Sequence, residues 1–226
     1  MSSQLTFDLP NETALGRGDF YVSPANAAAV EAIQSWHDWP QGKLILVGPE
    51  GAGKTHLAHV WATMVAGQIV RAADVSGQVE TLAHQPVVVE DADGIAGDRA
   101  AEEALFHLHN LALADGVPVL ITAAKPPARW GLRLPDLASR MQGSALVSLA
   151  APDEPLLTAL LVKLFADRQL TLEADVLGYL VPRMERSFAA AGQLVAAIDQ
   201  AALVRHRRIT KRLAGEVLDK LGADSP

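Results

Sequence analysis

Cysteine is missing from all 226 residues, which excludes disulfides, thiolate metal ligands and cysteine redox chemistry and suits a reducing compartment. Long apolar runs are missing as well. No stretch approaches the roughly 20 residues that span a bilayer, and Met1-Ser2-Ser3-Gln4 lacks the charged-then-apolar layout of a signal peptide, so the expected location is the cytoplasm, with no membrane partner. Positive charge is in deficit. The formal net charge of −7 argues against a general affinity for nucleic-acid backbones. The local run Arg205-His206-Arg207-Arg208 with Lys211 and Arg212 reads as a solvated helix face, and no sequence-specific DNA binding is expected. Apolar mass, by contrast, is ample: half of the residues are hydrophobic, enough for a sizeable core in one larger domain plus a smaller appendage.

Residues 1 to 18 are polar around the short apolar island Leu5, Phe7, Leu9 and read as a flexible arm. A helix is expected from the Ser23-Pro24-Ala25-Asn26 punctuation to Trp36. Short apolar runs then recur at residues 43–47, 86–90, 117–122 and 145–149, separated by helical patterns such as residues 102–114. Strands alternating with helices imply an α/β domain, residues 19–151, with a parallel sheet flanked by helices. Near Ala151-Pro152-Asp153-Glu154-Pro155 the character changes to a linker that ends in a helix N-terminus. Beyond it only helices are expected, carried by the stripes Leu156–Phe165, Leu194–Ala202 and Leu213–Leu221, in a second α-helical domain over residues 152–226.

The first apolar run leads into Gly48-Pro49-Glu50-Gly51-Ala52-Gly53-Lys54-Thr55, then His56. This is the G-x-x-x-x-G-K-[ST] P-loop pattern, placed between a strand and a helix. Gly48 and Gly53 let the backbone curl so that successive N–H groups face phosphates; Lys54 supplies positive charge, and Thr55 a hydroxyl for magnesium. ADP or ATP with Mg2+ is therefore the expected ligand, held by residues 48–56. Val87-Val88-Val89-Glu90-Asp91 delivers two carboxylates at the C-terminal end of a strand, where open parallel sheets bind ligands. Either they merely end a strand, or they form a Walker B-like pair in which one carboxylate joins Thr55 at the metal and the other polarises an attacking water, Glu90 and Asp91 in that order, with Asp91 as the alternative ligand. Arg140, in Leu137-Ala138-Ser139-Arg140-Met141, is on the residues alone either an exposed helix-end arginine or a fork that neutralises a transferred phosphoryl group.

Taken together, residues 20–26, 48–55, 87–91, 121–127 and 137–140 resemble the AAA+ module of bacterial DnaA. More narrowly, the chain is similar to the short DnaA-related proteins of the Hda type, which carry the AAA+ core and a C-terminal helical lid. Gln4, Leu5, Phe7 and Leu9 are similar to the peptide with which that family docks onto the β sliding clamp. The resemblance implies a regulator of replication initiation: a clamp-bound, nucleotide-loaded protein that meets ATP-loaded DnaA and promotes hydrolysis of its ATP. Arg140 then becomes the candidate trans-acting finger.

Three departures from the family pattern bear on intrinsic activity. Ala124 stands where a polar sensor 1 residue is usual, Ala189 where sensor 2 is usually arginine, and Glu90 where aspartate is usual. Neither alanine can contact a γ-phosphate through a charge or hydrogen bond, which leaves Arg183 or Arg186 as substitutes and weak or absent intrinsic ATPase as the expectation. The rival reading is an independent P-loop ATPase or loader that hydrolyses ATP in its own homo-oligomer. A nucleotide kinase lacks the arginine cluster wanted near the P-loop, and a DNA-binding role rests on residues 205–212 alone.

Overall fold

The computed structural model describes residues 21–172, 174–205 and 208–223. Five parallel strands form one sheet: β1 (Lys43–Val47), β2 (Gln68–Arg71), β3 (Val87–Glu90), β4 (Val119–Ala123) and β5 (Ala145–Ser148), in the order β2-β3-β4-β1-β5. Every residue of β1 and β4 is buried, as near-continuous apolar runs in the middle of a sheet covered on both faces must be. Alternation sorts their side chains, so that Ile45 and Val47 join one core and Leu44 and Leu46 the other. β4 starts two residues later than its apolar run, after Pro118, which has no N–H to give to a ladder.

The sequence pattern does not reveal β2. Its four residues Gln-Ile-Val-Arg are exposed at both ends and half-buried between, because β2 is an edge strand and needs neither a long apolar run nor strict alternation.

Helices α1 (Ala27–Gln34) and α2 (Lys54–Val65) contribute to the core that holds Leu44 and Leu46, while α3 (Val79–Ala83), α4 (Arg99–Asp115) and α5 (Pro135–Gln142) bury residues on the other face. In α2 the buried stripe is Leu57, Ala58, Trp61 and Ala62, one face at helical spacing. Asp98 caps α4 by accepting the Ala101 N–H at 3.1 Å, and Gly116, at φ 67°, ends it.

Beyond β5 the regular elements among the described residues are all helices: α6 (Glu154–Asp167), α7 (Ala174–Leu180), α8 (Phe188–Arg205) and α9 (Lys211–Ala223). Asp153 caps α6 by accepting the Leu156 N–H at 2.9 Å, with Pro155 in the first turn, where a missing N–H costs nothing. Leu157, Leu161, Phe165, Leu194, Ile198 and Leu213 share a third core separate from the two on the sheet. Among the described residues no helix is long and apolar enough to cross a membrane.

Candidate functional site

Parallel strands place the ends of β1, β3 and β4 at one edge of the sheet, and the residues singled out by motif gather there. Gly48 donates its N–H to the Ala123 carbonyl at 3.2 Å, which ties the start of the loop to the end of β4. A side chain at Gly48 would meet the Leu149 carbonyl at 2.8 Å. Gly51 and Gly53 take φ values of 73° and 96°, a region costly for residues with a Cβ. Lys54 closes the loop on itself, its Nζ donating to the carbonyls of Gly48 at 2.8 Å and Pro49 at 3.0 Å. Two of the three ammonium donors thus hold the loop's shape, with the charge kept inside its curve. Thr55 and His56 are exposed in the first turn of α2, Pro49 and Glu50 are exposed on the loop, and Ala52 is buried beneath it. A strand-to-helix loop with this curvature, an ammonium and a helix N-terminus can hold a phosphate chain.

Glu90 ends β3, with β4 between it and β1, so it stands about 10 Å across the sheet from the P-loop strand. Its Oε1 is buried and has no hydrogen-bond partner among the described residues. A buried acceptor without a donor fits a metal ion or its water, and Mg2+ is commonly held by one or two carboxylates plus phosphate oxygens. Thr55 and Glu90 would hold such an ion. Asp91 is exposed at φ 57°, its N–H donating to Thr122 Oγ1 at 3.2 Å. Sequence reasoning missed two groups here. Asp93 accepts the Ala124 N–H at 3.0 Å, so position 124 is fixed through its backbone, and Thr122 is the polar residue of an otherwise apolar β4.

The lid-side contact was also missed. Phe188 donates its N–H to the Gly51 carbonyl at 2.8 Å, and its ring lies over Gly53 and is stacked with His56 at 6.2 Å between centroids. A Cβ on Gly51 would fall 2.3 Å from Ser187 Cβ. Ser187 in turn caps α8, accepting the Ala190 N–H at 3.0 Å. The N-terminus of α8 is therefore seated on the P-loop. Ala189 is exposed in its first turn. Neither suggested substitute stands idle: Arg183 donates to the Tyr179 carbonyl at 3.1 Å and lies over the Tyr179 ring, while Arg186 pairs with Glu154 at 2.9 Å.

Arg140 is exposed in the last turn of α5. Its carbonyl receives the ammonium of Lys43 at 3.4 Å, and Lys43 opens β1 whereas the P-loop follows the strand's end. The length of β1, about 13–17 Å for five residues, thus separates this end of α5 from the P-loop. Lys43 and His109 are both buried, with Lys43 Nζ 3.2 Å from His109 Nδ1. Burial, then the Arg140 charge, lowers the Lys43 pKa to about 8. Burial, then Lys43 and Arg140, lowers that of His109 to about 4. Gln4, Leu5, Phe7 and Leu9 lie outside the described residues.

Residues 154–218 match the family model described as Hda, lid domain. The chain superimposes on domain III of the Thermotoga maritima replication initiation protein DnaA with a TM-score of 0.79 at 18% identity, covering 89% of this chain and 94% of that one. AMPPCP-bound DnaA from Aquifex aeolicus gives 0.67 at 16% identity over 80% of this chain and 63% of that one. A Thermotoga maritima RuvB variant gives 0.67 at 18% over 87% and 68%. The parallel five-stranded sheet and its P-loop define an AAA+ fold. Residues 154–218 thus match an Hda lid, and the chain shares the fold of DnaA domain III.

Proposed function

We propose that this protein is a nucleotide-loaded regulator of replication initiation that acts with the β sliding clamp to promote hydrolysis of DnaA-bound ATP. The observation that carries the reading is the position of Arg140: exposed, and separated by the length of β1 from the chain's own P-loop. Such a guanidinium is badly placed to serve a nucleotide on its own chain and well placed to reach one on a neighbour. Its planar fork suits charge spread over phosphoryl oxygens.

The AAA+ core, residues 19–151, binds ADP or ATP in this reading, through the loop amides of residues 48–56 and the Lys54 ammonium. Thr55 and Glu90 hold Mg2+, which neutralises phosphate charge when bound. The lid, residues 152–226, covers the loop through Ser187 and Phe188. The arm, residues 1–18, docks on the clamp through Gln4, Leu5, Phe7 and Leu9, and the protein works in the cytoplasm.

The test is a reconstituted assay of DnaA-bound ATP hydrolysis with DNA-loaded clamp. Arginine fingers supply about 10³- to 10⁵-fold in rate, so Arg140→Ala should lose most of the stimulation. Arg140→Lys should rescue poorly, since a point charge does not reproduce the fork. Stimulation by Arg140→Ala equal to wild type refutes the finger role.

A second reading, an independent ATPase or loader in its own homo-oligomer, is favoured by the presence of Lys54, Thr55 and the Glu90–Asp91 pair. Turnover of ATP by the purified protein alone, lost in Asp91→Asn, is its signature. Ala124, Ala189 and the engagement of Arg183 and Arg186 elsewhere weigh against it.

A further inference from the structure

Helix α5 is gripped at both ends by buried charges borne on other elements. At its start, Glu102 of α4 accepts the backbone N–H groups of Arg133 at 2.9 Å and of Leu134, the residue that precedes the first turn, at 2.7 Å. The same carboxylate accepts the Gly97 N–H at 2.8 Å, and the residue is 1% exposed. Burial pushes this carboxyl up, but the N–H groups of Gly97, Leu134 and Arg133, with the Arg133 charge, hold it below its ordinary value. At the end of the helix, Lys43, 2% exposed, donates to the Arg140 carbonyl. An ammonium can only donate, so His109 Nδ1 accepts from Lys43 and the imidazole carries its proton on Nε2.

Helix N-termini present unpaired N–H groups with partial positive charge, and C-termini present carbonyls with partial negative charge. A carboxylate at the start of α5 and an ammonium at its end therefore match both poles. Buried charges are costly, and each of these two meets a backbone group of one eight-residue helix or its lead-in, Glu102 also accepting from Gly97 and Lys43 sharing the Arg140 carbonyl with the Ser144 hydroxyl at 2.7 Å. That helix carries Arg140.

We infer that Lys43 and Glu102 are positioning residues that clamp α5 from its two ends and so fix the direction of Arg140, with His109 holding Lys43 on the helix end. The inference rests on the reading of Arg140 as a trans-acting finger. A finger has to meet a phosphoryl group on another protein in one geometry, and a displacement of about 1 Å in a positioned group can cost about 10²-fold in rate. Tethering one end of a short helix leaves it free to pivot. Tethering both ends removes the pivot.

Lys43→Met tests the clamp, since methionine is an unbranched apolar side chain one heavy atom shorter than lysine, suited to a buried site, and removes the donor. In hydrogen exchange on the full chain, the α5 amides should exchange about tenfold faster than in wild type, as expected for loss of a charge-assisted bond, while those of α2 and α6 exchange no faster. In the hydrolysis assay the maximal stimulated rate should fall about 10- to 100-fold, with the half-saturating concentration unchanged. Added to Arg140→Ala, the substitution should cost nothing further. Glu102→Gln, which keeps an acceptor oxygen but loses the charge, should move exchange and rate in the same direction. Unchanged α5 exchange in Lys43→Met, or an equal loss of rate in the Arg140→Ala background, overturns the clamp. Wild-type stimulation by Arg140→Ala overturns the finger instead, and the exchange of α5 then decides the clamp alone.

Discussion

Replacing Lys43 with methionine should make the protein more stable while making it a poorer activator. The magnitude follows from the environment of the ammonium. Its pKa falls from 10.5 to about 8, so holding the proton in the native state costs about 3 kcal/mol near neutral pH, at about 1.4 kcal/mol per unit. Methionine removes that cost. It also removes the bonds to His109 and to the Arg140 carbonyl, the second of them long at 3.4 Å, together worth about 1–2 kcal/mol. The balance is a gain of at most about 1–2 kcal/mol, reduced by the cost of leaving the buried His109 Nδ1 without a donor.

The pH dependence gives the prediction its sign. Below pH 8 both folded and unfolded chains carry the Lys43 proton, and the full cost stands. Between pH 8 and 10.5 the unfolded chain still holds a proton that the native chain has released, so wild-type stability rises with pH in this window. The advantage of methionine should be largest at pH 7–8 and shrink towards pH 10.5. Urea unfolding followed by tryptophan fluorescence is a suitable assay, because all four tryptophans, Trp36, Trp39, Trp61 and Trp130, lie in the sheet cores or against them. Starting at pH 7 keeps the titration of His109 between about 4 and 6.5 out of the comparison. A variant less stable than wild type by more than about 1 kcal/mol, or a difference that does not change from pH 7 to 10, would refute the reasoning.

Lys54→Ala removes the ammonium that holds the P-loop around its own carbonyls and should weaken ADP binding by at least about 10²-fold in calorimetry, a charged-bond loss of about 3 kcal/mol. Gly51→Ala places a Cβ against Ser187 at a φ of 73°, so the α8 N-terminus should lift off the loop; stopped-flow release of a fluorescent ADP analogue should be faster than in wild type. Replacing Gln4 and Leu5 with alanine should abolish clamp pull-down and leave ADP affinity unchanged.

The elements legible in the sequence are those with local signatures. β1 and β4 announce themselves as apolar runs, the P-loop as spaced glycines before Lys54, and α6 by Asp153 followed by Pro155. The edge strand β2 and the short α7, with Gly178 inside it, were illegible because neither needs a long stripe. The clamp on α5 was illegible for a different reason. Lys43 meets His109 across 66 positions and Arg140 across 97, and Glu102 meets Arg133 across 31. Charges satisfied by distant backbone groups leave no pattern in any window of sequence, so Lys43 read only as the first residue of a strand.

The seat of α8 on the P-loop bears on why the missing sensors need not weaken nucleotide retention. In the proposed reading the groups that would recognise a diphosphate, the loop amides and Lys54, are placed by Gly51, Gly53 and the Gly48–Ala123 bond, none of which involves position 124 or 189. Positions 124 and 189, where the family resemblance would place groups that sense a third phosphate, are alanine. In that reading binding and turnover would depend on different residues, and alanine at positions 124 and 189 would forgo contacts to a γ-phosphate without touching the cradle. Phe188, bonded to Gly51 and lying over Gly53, ties the loop to α8, which is packed into the lid core through Leu194, Val195 and Ile198. Opening the loop then means moving α8 and the core attached to it, not a single side chain. In the proposed reading, a bound nucleotide would hold the two parts of the molecule together while Arg140 serves a neighbour's nucleotide.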